Sequence, residues 1–180
     1  MDLGLSRRRV SIVGEGALAS ECIARFIGEG AVVGASPQDC DVLVFIAPSR
    51  EGSIATSDDS SAFAAWDDVR ALAAAFGDAV PAMTAQGQGR LIWCGPIAAK
   101  TLAPQGGTDL DRLTGLGALG LCKAISGERG PDGITTNCVL WNGDDLDSTA
   151  AAILFLASEG AGYVTGVTIA VDGGRGEGIF

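Results

Sequence analysis

The sequence contains no histidine, a single tyrosine and few basic residues. Histidine is the side chain that most often acts as a general base at neutral pH and binds metal ions, so the commonest forms of both kinds of site are excluded. The 12 Lys and Arg residues are outnumbered by 22 Asp and Glu residues, which gives a net charge of −10. Because clustered basic side chains bind nucleic-acid phosphates, this composition predicts no nucleic-acid partner.

Long hydrophobic runs and paired cysteines are also lacking. No apolar run approaches the roughly 20 residues that a membrane span requires, and the run after Arg7-Arg8-Arg9 is too short for a signal peptide. We therefore predict a cytoplasmic protein with no membrane partner. The cysteines are odd in number and no pair has C-x-x-C spacing, which predicts reduced core thiols and no metal site. They are Cys22, Cys40, Cys94, Cys122 and Cys138.

Strand-like and helix-like segments alternate along the chain. The length of 180 residues and the 47% hydrophobic content suit one domain over residues 1–180. The predicted strands are 9–13, 31–33, 41–46, 90–94, 134–140 and 167–171, and the predicted helices are 17–29, 62–83, 108–128 and 151–157. This order predicts a Rossmann-like α/β fold, a doubly wound parallel sheet flanked by helices. Residues 34–40 are too few for a crossover helix between the second and third strands.

Apolar periodicity predicts which helix faces are buried. In helix 17–29 the predicted core stripe is Ile23, Phe26 and Ile27. In helix 62–83 the apolar residues recur at intervals of three and four. They are Phe63, Trp66, Val69, Leu72, Phe76 and Val80. Helix 151–157 is apolar nearly all round and is predicted to be covered on more than one side.

The last helix and strand carry a family resemblance. Residues 151–174, AAILFLASEGAGYVTGVTIAVDGG, resemble the C-terminal segment of the short-chain dehydrogenase/reductase (SDR) family, with the helix stop, the Tyr-Val-Thr-Gly turn and the terminal Asp-Gly-Gly in the family's order. The resemblance implies an SDR-like Rossmann domain shortened by one βα unit, since the family's third strand is reduced to residues 34–40. Only five residues separate Asn142 from Ser148, where active relatives carry a substrate lid.

The turn after the first strand is where this resemblance places a dinucleotide cofactor. Glycines there let backbone N–H groups approach the pyrophosphate at a helix N-terminus. Gly14 is in register, but the family's other two glycines are replaced by Leu18 and Ser20, and Glu15 adds a negative charge. We predict that Gly14 and Gly16 are a vestigial cofactor turn and that no cofactor is bound. NAD or NADP remains the cofactor if the chain is an active member.

The resemblance also indicates where catalytic residues would stand. SDR chemistry uses a serine after the strand that matches residues 91–94 and a Tyr-x-x-x-Lys pair, in which the tyrosine moves a proton and the lysine lowers its pKa. The register places Asp111 at the tyrosine, Gly115 at the lysine, and Gly95 or Pro96 at the serine. The sole tyrosine, Tyr163, lies in the tail. We therefore predict no catalytic residues.

These absences indicate a non-catalytic SDR-like subunit, a pseudoenzyme that pairs with and supports an active SDR oxidoreductase. One alternative is an active NAD(P)-dependent oxidoreductase with Asp111 or Asp109 as acid or base and Gly14 and Gly16 against the cofactor. Another is a small-molecule binding protein that uses the vestigial cleft. The favoured partner is an active SDR paralogue, and otherwise a second copy.

Pairing is predicted through helices 62–83 and 108–128 and strand 167–171. Residues 113–122 carry no charge, although one side of a helix on a sheet should face solvent. Small residues let a partner helix approach closely, and Gly115, Gly117 and Gly120 supply them. The uncharged stretch therefore favours an oligomer over a monomer.

Overall fold

The computed structural model describes residues 2–56, 58–101 and 108–174. Six parallel strands form one sheet in the order β2-β1-β3-β4-β5-β6. The strands are β1 (Arg9–Val13), β2 (Val32–Val33), β3 (Val42–Ile46), β4 (Gly89–Pro96), β5 (Ile134–Trp141) and β6 (Thr168–Val171). The α-helices are α1 (Ala17–Gly28), α2 (Asp59–Gln86), α3 (Asp109–Arg129) and α4 (Leu146–Ala157). Helices α1 and α4 pack together on one face of the sheet, and α2 and α3 pack together on the other. The predicted Rossmann-like α/β fold is confirmed.

Strand β2 is the edge of the sheet and is only two residues long. The chain returns from it to β3 through a single 3-10 turn, Pro37–Asp39. This agrees with the prediction that residues 34–40 contain no crossover helix. The βα unit that would extend the sheet beyond β2 is therefore missing from the interior of the chain.

Side-chain caps set two helix starts that apolar periodicity placed too late. The Asp58 carboxylate accepts a hydrogen bond from the Ser61 N–H at 3.0 Å, and α2 begins at Asp59. The Asp145 carboxylate accepts one from the Ser148 N–H at 2.9 Å, and α4 begins at Leu146, five residues before the predicted start. Both caps satisfy N–H groups that the helix itself leaves unpaired.

The predicted core stripe of α1 is wrong for two of its three residues. Phe26 is fully buried, but Ile23 is 38% exposed and Ile27 is 58% exposed. The buried residues of α1 are Leu18, Ala19, Cys22 and Phe26. The buried stripe therefore runs through Cys22 and Phe26, and the neighbouring positions Ile23 and Ile27 face outward.

The stripe of α2 is correct in the middle of the helix and wrong at its start. Leu72 and Phe76 are fully buried, whereas Phe63 is 66% exposed and Trp66 is 50% exposed. Helix α4 is likewise less covered than predicted, because Phe155 is 46% exposed. Periodicity identifies an apolar face but does not say which turns of it a neighbouring element covers.

The predicted location of the cysteines in the core is confirmed, since all five thiols are free and buried. Burial raises the pKa of the Cys22 and Cys40 thiols to about 12. Neither is a reactive thiolate at neutral pH. Within residues 2–56, 58–101 and 108–174 no group of His, Cys, Asp and Glu is arranged to hold a metal ion. None of the described helices is both long and apolar enough to cross a membrane.

Candidate functional site

A cleft of about 630 Å³ opens at the carboxyl ends of the parallel strands. Its walls come from the β1–α1 turn, the end of β3, the end of β4 and the end of β5. It is lined by Glu15, Gly16, Ala17, Leu18, Ile46, Ala47, Pro48, Ser49, Pro96, Asp111, Trp141, Asn142 and Gly143. The order β2-β1-β3 makes this the point where successive connections run in opposite directions, which is where open α/β sheets bind ligands.

Gly14 and Gly16 both adopt backbone conformations that favour glycine, with φ values of 125° and 95°. A Cβ on Gly14 would lie 2.6 Å from the carbonyl oxygen of Ile46, so close packing of the turn on β3 requires glycine there. Gly16 is the N-cap of α1 and lines the cleft, with open space where its Cβ would be. Of the two predicted cofactor residues, only Gly16 is among the residues that line the cleft. Their role toward a cofactor stays a prediction.

Leu18 obstructs the cleft less than its position in the glycine pattern suggested. Its side chain is 3% exposed and packs in the core with α1 and β1, so it forms part of the floor of the cleft. Ser20, at the position of the third family glycine, donates its hydroxyl to the Gly16 carbonyl at 3.2 Å. The change with the larger electrostatic effect is Glu15, an exposed carboxylate in the cleft lining.

Asp111, at the family's tyrosine position, lines the cleft but is engaged by backbone groups. Its Oδ1 accepts a hydrogen bond from the Arg50 N–H at 2.7 Å, and its Oδ2 accepts one from the Thr108 N–H at 3.2 Å. The Thr108 hydroxyl oxygen in turn accepts from the Asp111 N–H at 3.3 Å, which completes a capping box. Asp111 is 2% exposed and fastens the β3–α2 loop to the start of α3.

Further hydrogen bonds of Arg50 hold the β3–α2 loop against α2 and the start of α3. The Arg50 guanidinium donates two hydrogen bonds to Asp68 on α2, each 2.7 Å long, and the Thr108 hydroxyl donates to the Arg50 carbonyl. Sequence reasoning missed this clamp of Arg50, Asp68, Thr108 and Asp111. The only signal for it was the Thr-x-x-Asp spacing of residues 108–111, which is a capping-box pattern.

At the family's serine position, packing closes the space. A Cβ on Gly95 would overlap the indole ring of Trp93, which is 1% exposed. Pro96, the other candidate for this position, pairs with Trp141 in the sheet and lines the cleft. A serine at Gly95 would require Trp93 to move.

Packing also closes the space at the lysine position, Gly115. The same kind of packing limits the row of glycines that was predicted to admit a partner helix. A Cβ on Gly115 would lie 2.5 Å from the Cβ of Ala99, and one on Gly117 would lie 2.9 Å from Cγ2 of Val69 on α2. These two glycines therefore serve packing within the chain and are not available to a partner helix. Only Gly120 of the three has open space around its Cβ position.

The remaining candidates for acid, base or proton carrier do not join the cleft. Asp109 accepts a hydrogen bond from Arg112 at 2.8 Å and is absent from the cleft lining. Tyr163 is fully exposed in the turn before β6, and Lys123 donates to the Gly166 carbonyl at 3.1 Å. Among the described residues, those that line the cleft bring together no tyrosine, lysine or serine arrangement of the family's kind.

Comparisons with known proteins agree with the fold and the resemblance. No family model matches the chain. The short-chain reductase protein NovJ of Streptomyces niveus is 30% identical over 127 residues, which cover 52% of this chain and 47% of NovJ. The match thus spans about half the length of this curated relative.

Solved structures share the fold at low sequence identity. A short-chain dehydrogenase/reductase from Serratia marcescens superposes with a TM-score of 0.77 at 20% identity, covering 97% of this chain and 99% of that one. A dehalogenation enzyme gives a TM-score of 0.84 at 17% identity, with 94% and 98% of the two chains covered. A putative oxidoreductase from Escherichia coli gives 0.78 at 17% identity, with 94% and 97% covered. The solved structures show that this chain has their Rossmann-like fold, and the partial NovJ match agrees with the resemblance of the C-terminal segment to the short-chain dehydrogenase/reductase family.

Proposed function

We propose that the chain is a non-catalytic SDR-like subunit that pairs with and supports an active SDR oxidoreductase. One observation carries the proposal: Gly95, Asp111 and Gly115, which the register places at catalytic positions, are engaged in packing or structural hydrogen bonds, while Pro96, the other candidate for the serine, lines the cleft. Gly95 lies against Trp93, Gly115 lies against Ala99, and the Asp111 carboxylate binds two backbone N–H groups. The packing at Gly95 and Gly115 leaves no room for a serine or lysine side chain at those two positions.

The cleft also fits a dinucleotide poorly. A pyrophosphate requires N–H donors or cations, and the described lining residues include two carboxylates, Glu15 and Asp111, with no lysine or arginine. The N-terminus of α1 contributes only about half a positive charge, which the Glu15 carboxylate offsets.

The outward face of α2 and α3 supports pairing. Phe63 and Trp66 on α2 are 66% and 50% exposed, and Leu116 on α3 is 43% exposed. Small exposed residues also occur along both helices, and on α2 the exposed ion pair of Asp67 and Arg70 lies among them. The small residues are Ala73, Ala74 and Gly77 on α2 and Gly120, Ala124 and Gly127 on α3. We call the exposed apolar and small residues of α2 and α3 the pairing face, and a face of this kind is typical of a protein interface.

A partner that is itself an active SDR protein best accounts for both features. A chain that keeps an apolar pairing face while its catalytic positions are filled can contribute structure to an assembly whose chemistry another subunit performs. A second copy would give a homo-oligomer with the same face and no chemistry. The exposed end of the tail, with Val167 37% exposed beside β6, supplies a second surface for such an assembly.

Light scattering after size exclusion tests the pairing face. We expect the chain purified from its own host to elute with a mass well above the 18.1 kDa of one chain. Leu116→Arg should reduce that mass, because a charge would be buried at the interface without a partner. Ile27→Arg is the matched control, since Ile27 is 58% exposed on α1, on the opposite side of the sheet. Gly117 is unsuitable because it packs on Val69 within the chain.

Two results would contradict the pairing proposal. One is a wild-type chain that remains at 18.1 kDa at high concentration. The other is an assembly that Leu116→Arg leaves intact while Ile27→Arg dissociates it, which would move the interface to the α1 and α4 side.

A further inference from the structure

We propose that the cleft binds a small, positively charged organic molecule, and that it selects this ligand by charge over a dinucleotide. The inference goes beyond the pairing proposal, because a subunit can pair whether or not its cleft is occupied. The cleft combines apolar walls with negative charge, and both features favour such a ligand.

The walls form a site of suitable size for a small organic ligand. The cleft measures about 630 Å³, within the range of roughly 300 to 1,000 Å³ that is usual for small-molecule sites. Ile46, Pro48, Pro96 and Trp141 give it apolar surface. A flat hydrocarbon or aromatic group can be desolvated between the two prolines and the indole ring, and a cation near that ring is attracted to its π-face.

The charge of the cleft has one sign. Glu15 stands at the β1–α1 turn and Asp111 lines the inner side, and the described lining residues contain no basic side chain. The Asp111 carboxylate is 2% exposed and already accepts two backbone hydrogen bonds, so the charge that the cleft presents to a ligand is mainly that of Glu15.

This arrangement discriminates between ligand classes. The two phosphate charges of a dinucleotide would be placed beside Glu15, where repulsion opposes binding. An ammonium or amidinium group at the same place is attracted by Glu15, and the chain's net charge of −10 raises its local concentration. Because Glu15 is exposed, water and salt screen much of this attraction, and it is strongest at low ionic strength.

Three probes of nearly equal shape separate charge from hydrophobic contact: 3-phenylpropylamine, 3-phenylpropanol and 3-phenylpropanoate. In calorimetric titrations at neutral pH and low salt, we expect the ammonium to bind at least about fivefold more tightly than the alcohol. The carboxylate should show no measurable binding. Glu15→Gln should bring the ammonium and the alcohol to similar affinities, whereas Glu29→Gln, an equal charge change at the far end of α1, should leave the preference intact.

Each other outcome would overturn the inference. Equal binding of all three probes, binding of none, or an ammonium preference that survives Glu15→Gln would each show that Glu15 does not select a cation here. None of these results bears on the mass of the assembly, which light scattering measures separately. The cleft proposal and the pairing proposal can therefore fail independently.

Discussion

Replacing Gly115 with lysine, the residue that the family register places there, is expected to lower the free energy of unfolding by about 3 to 5 kcal/mol. The new Cβ would lie 2.5 Å from the Cβ of Ala99, and the ammonium would enter a buried position. Overpacking and an unpaired buried charge are both destabilising, and here they occur together. Urea unfolding of the two chains under the same conditions measures the difference.

Gly127→Lys is the matched control for this substitution. Gly127 lies on the same helix, is exposed, and has open space around its Cβ position. Because lysine has a better helix propensity than glycine, the control should be stabilised by a few tenths of a kcal/mol or left unchanged. Equal stabilities for Gly115→Lys and wild type would mean that the lysine position is open, and the argument from filled catalytic positions would fail.

The second large effect is expected for Asp111→Ala, with a loss of about 2 to 4 kcal/mol in the free energy of unfolding. The substitution leaves the N–H groups of Arg50 and Thr108 without their carboxylate acceptor and removes half of the capping box. The measurement is again urea unfolding. Hydrogen exchange should locate the loosened amides at residues 49–50 and in the first turn of α3.

Asp109→Ala serves as its control, two residues away on the same helix. The Asp109 side chain is 44% exposed and pairs with Arg112 at 2.8 Å, so its loss should cost no more than about 1 kcal/mol. An Asp111→Ala chain as stable as the Asp109→Ala chain would show that the carboxylate is not needed for structure. A catalytic role for Asp111 would then regain support.

The fold could be predicted from the sequence because each strand and helix carries its own signal. The wholly buried strand Val42–Ile46 is a continuous apolar run, as expected of a central parallel strand. The short connection from residue 34 to residue 40 also allowed us to predict that one βα unit is missing there. Exposure was harder to predict, since Phe63 and Trp66 continue the apolar stripe of α2 but lie beyond the part that the rest of the chain covers.

For the site, the sequence predicted only which catalytic residues of the family are absent. The register identified Asp111, Gly115 and either Gly95 or Pro96 as replacements for catalytic residues, but it could not show what fills the space. That depends on Trp93 and Ala99, which touch these positions only in the folded chain. The sequence suggested that the glycines of α3 admit a partner helix, whereas three-dimensional packing assigns Gly115 and Gly117 to contacts within the chain.

We propose that this chain is not itself a working dehydrogenase, and calorimetric titration of the purified chain with NAD(H) and NADP(H) can decide the question. We expect no binding in the micromolar range and no turnover of hydroxyacyl or cyclic ketone substrates. Micromolar binding of either cofactor, together with turnover that Asp111→Asn abolishes in a chain that remains folded, would contradict it.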